Sequence, residues 1–338
     1  MRMNPASRVR RANLLEPAPR SKSRPRLIRI AYDRSFFLIL RNPMYMKSVE
    51  SILTSLLKED AGEGDVTSNA LLSDEKAKAF VIAKENGILA GGEEFLWLCG
   101  QNNIAAKRIK NDGEKFEKGD RLFELEGPKR RVLLIERTGV NLLQRMSGIA
   151  TETRKIVDML RKEGYGTVVA GTRKTQWGYL DKKAITIGSG FSHRLGLFES
   201  FLIKENHLAS LSKQGIKNPM SFAIENAWEH RRRSVFIEIE VRNQKEAVAA
   251  AKKFREVQER EKEIKPCIIM MDNMKANEVK ATVVLLKRRK LYDYVLLEAS
   301  GSVNEGNVLA YAKAGVDACS LGYLTHSAKA IDISQKIV

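Results

Sequence analysis

With 338 residues, the chain can form one large or two medium domains with a substantial core. Lys and Arg number 59 against 41 Asp and Glu, a formal net charge of +18 that favours anionic partners. Aromatics make up only 7% and no basic run is interleaved with them, which argues against nucleic acid, and no apolar stretch reaches the ~18–20 residues of a membrane span.

Residues 1–45 hold ten Arg and Lys22 against Glu16 and Asp33 and show no periodicity, so a disordered basic extension is expected. A transit peptide and a nucleic-acid-binding arm are the alternatives to a dispensable leader with Met44 or Met46 as the working start, which is the favoured reading. Val49, Ile52, Leu53, Leu56 and Leu57 then have helical spacing, which the Gly-rich stretch Gly62–Ser68 breaks. Alternating segments around Phe80–Leu89 and Arg121–Leu125, with turns at 85–87 and 111–113, predict a β-rich N-terminal domain. Arg131–Arg161 predicts one or two long helices. Cys99, Cys267 and Cys319 lie far apart without ligand spacing and read as buried thiols of a soluble, cytoplasmic protein.

Six apolar runs follow, each ending on polar residues: Thr167–Lys174, Ser200–His207, Val235–Arg242, Cys267–Asn273, Tyr294–Ser302 and Ala318–His326. Their starts are roughly 24–35 residues apart, which suits parallel strands joined by helices such as Asn243–Lys262 and Asn304–Ala314. Six units fall short of eight, so an incomplete α/β barrel is predicted, with its chemistry at the C-terminal strand ends.

Thr172-Arg173-Lys174-Thr175, His193-Arg194 and Lys204 gather four cations and an imidazole, with Asp181 as nearly the sole acid nearby. A ligand carrying more than one negative charge would relieve that repulsion, and the planar Arg fork suits a carboxylate. Glu238 and Glu240 share one face of the third run, while Asp272 and Glu298 stand at the ends of the fourth and fifth. Carboxylates facing substrate phosphates are how Mg²⁺ is commonly held; structural ion pairs with the cations are the alternative. Ser300-Gly301-Ser302 and Gly322–Ser327 stand where barrels bind phosphate, although such loops are also ordinary turns.

In this order, EGDVTS near 63, ERTGVNLLQRMSGIAT at 136–151, GTRKT at 171–175 and HRLGLFESFLIKENH at 193–207 resemble the quinolinate phosphoribosyltransferase family. IEIEV at 237–241, MMDNM at 270–274, LLEASG at 296–301 and GYLTHS at 322–327 extend the resemblance to the C-terminus. It implies an N-terminal α/β sandwich domain over 46–150, completed by 329–338, and an open, roughly six-stranded α/β barrel over 151–328 of the type II phosphoribosyltransferases. It also implies transfer of phosphoribose from phosphoribosyl pyrophosphate to quinolinate, with decarboxylation to nicotinate mononucleotide. The same resemblance implies a homodimer, or a multiple of it, in which Arg137 enters the neighbour's site. Thr172, Arg173, Lys174, His193, Arg194 and Lys204 would take the acid, with Lys174, Glu240 and Asp272 catalytic. Glu240 and Asp272 would also hold Mg²⁺ and the ribose, and Ser300, Gly301, Gly322 and His326 the 5′-phosphate. The chain departs from the family pattern at Gly171, at Thr175–Asp181, at Gly188-Ser189-Gly190 and at Gly301-Ser302. The Thr175–Asp181 departure removes an arginine expected near the acid, so it bears on which acid is taken. Competing readings are a related transferase acting on nicotinate or another aromatic acid, and a non-enzymatic basic binding protein.

Overall fold

The computed structural model describes residues 27–28, 30–31 and 43–338, with side chains from Lys47 onward in the last stretch. Twelve strands occur among these residues. In the first half they are β1 (Lys76–Ala83), β2 (Gly87–Ile88), β3 (Ala105–Arg108), β4 (Lys115–Phe116) and β5 (Arg121–Pro128). The second half has β6 (Val168–Gly171), β7 (Phe201–Ile203), β8 (Ile237–Val241), β9 (Cys267–Asp272), β10 (Leu296–Ser300), β11 (Ala318–Leu321) and β12 (Ile333–Ile337).

The N-terminal sheet is antiparallel in the order β12-β1-β5-β3, so the end of the chain returns to pair Ile333–Ile337 with Ala83–Ala79. Alternation on β1 buries Ala77, Ala79, Val81 and Ala83 on one face. Phe123 of β5 meets Phe95 of the helix Gly92–Gln101 at 4.9 Å between ring centres. The expected helices before the barrel are Lys129–Leu134 and Glu136–Lys162, and the second runs unbroken past residue 150. Its buried face, from Leu142 and Met146 through Ile149 to Ile156 and Leu160, belongs to the core shared by both halves. Gly148 lets the returning chain lie on this helix, since a Cβ there would come within 1.8 Å of the Lys329 carbonyl oxygen.

All six apolar runs form strands, in one parallel sheet ordered β6-β11-β10-β9-β8-β7. The edges β6 and β7 are not paired with each other, so the barrel is open. A loop crosses the gap. Phe191 bridges Ala170 beside β6, and Arg194 Nη1 donates to the Ser200 carbonyl just before β7 at 3.0 Å.

Strand alternation stacks the inward side chains in rows. The lowest row, Val168, Phe236, Ile268, Leu296 and Ala318, is apolar and is closed from below by Leu27 and Ala31. This corrects part of the expected disorder. Leu27, Ile28, Ile30 and Ala31 are helical, and Leu27 and Ala31 are 7% and 2% exposed. The physical reason is an i,i+4 apolar pair, too short to register as periodicity among arginines, that meets an otherwise open apolar row. The last residues of the proposed extension, Pro43–Tyr45, also contradict disorder, because they open the helix Pro43–Ala61; the rest of the proposed leader, arm or transit segment lies outside the described residues.

Leu27→Ala is expected to cost about 2 kcal/mol or more, as for other buried leucines. A lowered urea midpoint with native turnover intact is the anticipated result; an unchanged midpoint would mean the lowest row needs no cover.

Candidate active site

Two adjoining cavities of about 580 and 260 Å³ lie at the C-terminal ends of the barrel strands. The larger is bounded by Thr172, Arg173 and Lys174 after β6, by His193 and Arg194 on the gap-crossing loop, and by Lys204 after β7. Glu240 on β8, Asp272 on β9 and Ser300-Gly301 at the end of β10 complete its wall. The smaller shares Thr172, Lys174, Ser300 and Gly301 and adds Gly322 and His326 beyond β11. Every residue that the family resemblance assigns to the site faces one of the two cavities except Arg137, which is exposed in the first turn of the helix Glu136–Lys162. Glu238 and Glu298, expected as possible Mg²⁺ carboxylates, line neither cavity because their strand positions are fully buried.

Charge is sorted around this mouth. Cations come from β6, the gap loop and β7, whereas acids come from β8 and β9. Lys204 Nζ lies 3.0 Å from Glu240 Oε1, linking the two groups, and the Lys204 backbone N–H donates to His207 Nδ1 at 2.9 Å. Among the described residues Arg173 and Lys174 have no carboxylate within ion-pair distance. Burial, together with the charge of Arg173, pushes the Arg194 guanidinium below its usual value. An anionic ligand would lower the energy of this arrangement.

Backbone conformation is also unusual here. His193, Asn273 and Ser302 all line the larger cavity with φ of 59°, 56° and 55°, in the region non-glycine residues avoid. Gly301, at φ 82°, touches Asn273; a Cβ there would lie 2.3 Å from Asn273 Oδ1. This close approach fits the glycine in the LLEASG motif.

Beneath the cavity, His193 Nε2 lies 3.0 Å from Glu238 Oε2 and 3.4 Å from Glu298 Oε1, with both glutamates fully buried. Burial alone would favour the neutral ring, but the two carboxylates outweigh it and raise His193 to about 10. Burial and the nearby Glu298 charge raise Glu238 in turn, to about 7. The three ligand atoms lie within 4.8 Å of one another, a spacing that an imidazolium bridging two carboxylates accounts for. His193 thus lines the cavity while its Nε2 is committed below, leaving Nδ1 as the ring nitrogen for a ligand.

Leu202, Met270, Asn273, Ser302 and Ser320 also line the larger cavity, and of these only Ser302, in the expected phosphate loop, was anticipated. The first, second and last of these stand two residues before Lys204, Asp272 and Gly322, just as Glu238 and Glu298 stand two before Glu240 and Ser300. Stepping back by the strand period of two would have found that whole row. The variant segment Thr175–Asp181 contributes nothing to either cavity.

Protonated His193, held between two carboxylates, stabilises the folded state over a definite pH range. Its stabilising contribution is complete below the unfolded value near 6.5 and is lost as pH rises through about 10. Glu238→Gln removes one of the two carboxylates, so the fall in melting temperature between pH 7 and 10 should become shallower than in the wild type. Parallel profiles would show that His193 carries no proton there.

Residues 65–147 match the sequence profile described as quinolinate phosphoribosyl transferase, N-terminal domain, and residues 149–336 match its C-terminal domain. A Methanocaldococcus jannaschii protein named probable nicotinate-nucleotide pyrophosphorylase (carboxylating) is 38% identical over 292 residues, covering 85% of this chain and 96% of that one. A Methanothermobacter thermautotrophicus protein of the same name is 34% identical over 289 residues, covering 85% and 98%. Among solved structures, the nicotinate-nucleotide pyrophosphorylase of Francisella tularensis superposes with a TM-score of 0.74 at 32% identity, covering 86% of this chain and 96% of that chain.

Proposed function

Because the chain belongs to the quinolinate phosphoribosyltransferase family, we propose that it transfers phosphoribose from phosphoribosyl pyrophosphate to quinolinate, yielding nicotinate mononucleotide, carbon dioxide and pyrophosphate. The observation that carries this reading is the sorted mouth: Arg173, Lys174, Arg194 and Lys204 face Glu240 and Asp272 across one cavity. A pyridine dicarboxylate fits the cationic wall, where guanidinium forks can take two carboxylates. The sugar phosphate fits the other wall, its ribose near Glu240 and Asp272 and its 5′-phosphate among Ser300, Gly301, Gly322 and His326.

In that pose the ring nitrogen forms a bond to the anomeric carbon as the carbon–oxygen bond to pyrophosphate breaks, with its electron pair leaving on pyrophosphate. The work of the site is to align the two reactants and hold charge, with little need for an acid or base. Lys174 lines both cavities, so it can follow the charge that develops between them. Once substituted, the ring nitrogen is positive. The adjacent carbon then retains the electron pair of its bond to the carboxylate, which departs as carbon dioxide, and solvent protonates that carbon. Glu240 and Asp272 are carboxylates that face the cavity from adjacent strands, a donor set that suits Mg²⁺ alongside substrate phosphates. Bound there, the ion would offset charge on the leaving pyrophosphate.

Two copies are proposed to pair, with Arg137 entering the neighbour's cavity. Arg137 is exposed in the first turn of its helix, and seven residues before it Arg130 Nε donates to the Leu72 carbonyl at 2.7 Å, just beyond the helix Val66–Leu71. Val66 and Leu71 on this helix are exposed, and so are Leu197 and Phe198 on the gap loop beside the cavity. A second copy would cover such apolar surface. The three cysteines are free and buried, which suits a reducing compartment such as the cytoplasm. Among the described residues, no helix is long and apolar enough to cross a membrane.

The test is an end-point assay with phosphoribosyl pyrophosphate, Mg²⁺ and either quinolinate or nicotinate, following carbon dioxide and pyrophosphate. Quinolinate should be consumed and a chelator should stop the reaction; turnover of nicotinate alone would overturn the choice of acid. Lys174→Ala and Arg194→Ala should each lower kcat/KM by roughly one to two decades, the loss expected for one charge-assisted contact of about 1.5–3 kcal/mol.

Sharing of sites predicts complementation. Arg137→Ala and Lys174→Ala chains, each strongly impaired alone, should when co-refolded regain about a quarter of wild-type activity, since roughly half the dimers are mixed and each carries one intact site. Mixtures no more active than either variant alone, despite proven subunit exchange, would place Arg137 outside the neighbour's site.

A further inference from the structure

The helix Tyr179–Ile187 lines neither cavity, yet its first two turns bury three consecutive charged residues, Asp181, Lys182 and Lys183, at 0%, 1% and 3% exposure, of which Lys183 pairs with Glu94. The side chain of Lys182 reaches two backbone carbonyls. Its Nζ donates to Gly171 O at 2.9 Å and to the carbonyl of Ser192. Gly171 immediately precedes Thr172-Arg173-Lys174, and Ser192 immediately precedes His193-Arg194. One amine therefore joins the roots of both cationic segments, one at the end of β6 and the other on the gap loop.

The far end of the first segment is fixed separately. Asp181 accepts a hydrogen bond from Thr175 Oγ1 and takes Arg145 on both oxygens, at 2.8 Å each. Thr325 Oγ1 donates to the Lys174 carbonyl at 2.7 Å, and Arg145 Nη2 donates to Thr325 O at 3.1 Å. With that end anchored, the distance between the two cationic segments depends on what happens at Gly171 and Ser192.

We propose that Lys182 is a positioning residue, which sets the spacing between Thr172–Lys174 and His193-Arg194 and thereby the fit of the acid substrate. The identity of that substrate rests on the function proposed above, whereas the brace rests on its own hydrogen bonds. A fully buried lysine is an expensive way to fill space, because an apolar side chain of similar volume would avoid the desolvation cost. Both of its carbonyl contacts end on segments that line the larger cavity, and neither ends on the wall carrying Glu240 and Asp272. Its removal should therefore be felt by the acid and little by the sugar phosphate.

The experiment compares Lys182→Met and Lys182→Gln with wild type, measuring KM for each substrate, kcat and a crystal structure. For Lys182→Met the quinolinate KM should rise roughly ten- to a hundredfold, as expected when binding groups shift by about an ångström, and the phosphoribosyl pyrophosphate KM should rise much less, because only Thr172 and Lys174 of the braced segments reach the smaller cavity. Lys182→Gln keeps one N–H donor set and should fall between the two; it decides the matter if the Met variant does not fold. An unchanged quinolinate KM, or an equal loss for both substrates, would overturn the proposal. So would a variant crystal structure with the two segments at wild-type spacing. Wild-type enzyme inert towards quinolinate would instead reject the functional reading, and the variant structure would still judge the brace.

Discussion

The structure turns on one buried contact, the His193 ring against Glu238 and Glu298. Two carboxylates at zero exposure are cut off from bulk solvent and cannot both stay charged without a counter-ion. His193 comes from the loop that crosses the open side of the barrel, and it meets the glutamates in a left-handed backbone conformation. That conformation is unfavourable for a histidine and persists only where the surroundings impose it. The contact thus draws the gap loop inward, and Arg194 follows to the edge of the cavity and to the Ser200 carbonyl. A barrel lacking two strands is closed here by electrostatics and backbone bonds from a loop.

Above and below that level, the rows differ in character for a simple geometric reason. Each strand turns alternate residues inward, so three successive inward positions sample the barrel from bottom to mouth. At the bottom Ile268 and Leu296 exclude water with help from Leu27 and Ala31. Two positions on, Met270 and Glu298 form the floor of the site, and two further on Asp272 and Ser300 reach the cavity. Polarity thus rises in step along neighbouring strands, and the charges of the mouth never have to be buried in the apolar row.

Much of this was legible in the sequence. The six runs were legible because strands buried on both faces are unbroken apolar stretches, and the mouth because polar residues end every run. The floor was harder to see, since Leu202 and Met270 inside such runs look like ordinary core, and Glu238 looked like a second metal-facing acid beside Glu240. Only the depth of the strand position separates a buried carboxylate from one at the cavity. Leu27 and Ala31 were missed for a different reason: two apolar residues among arginines carry no detectable period, and their burial depends on a surface formed some 140 residues or more further along the chain. Lys182 was likewise hidden, because its partners are main-chain carbonyls, which leave no mark in the side-chain pattern.

The open side also bears on how the site can be completed. A closed barrel would ring its mouth with its own strand ends, and every contributor would lie at the end of a strand. Here the interval between β6 and β7 is spanned by a loop whose outer face carries the exposed Leu197 and Phe198. The exposed face of that loop is open to a neighbouring molecule. Arg137, exposed on the N-terminal half and absent from its own chain's cavity wall, is a cation free to serve from without. An open barrel, an apolar loop beside its mouth and an outlying arginine therefore agree with one another. These are the features that the proposed pairing of two copies would use.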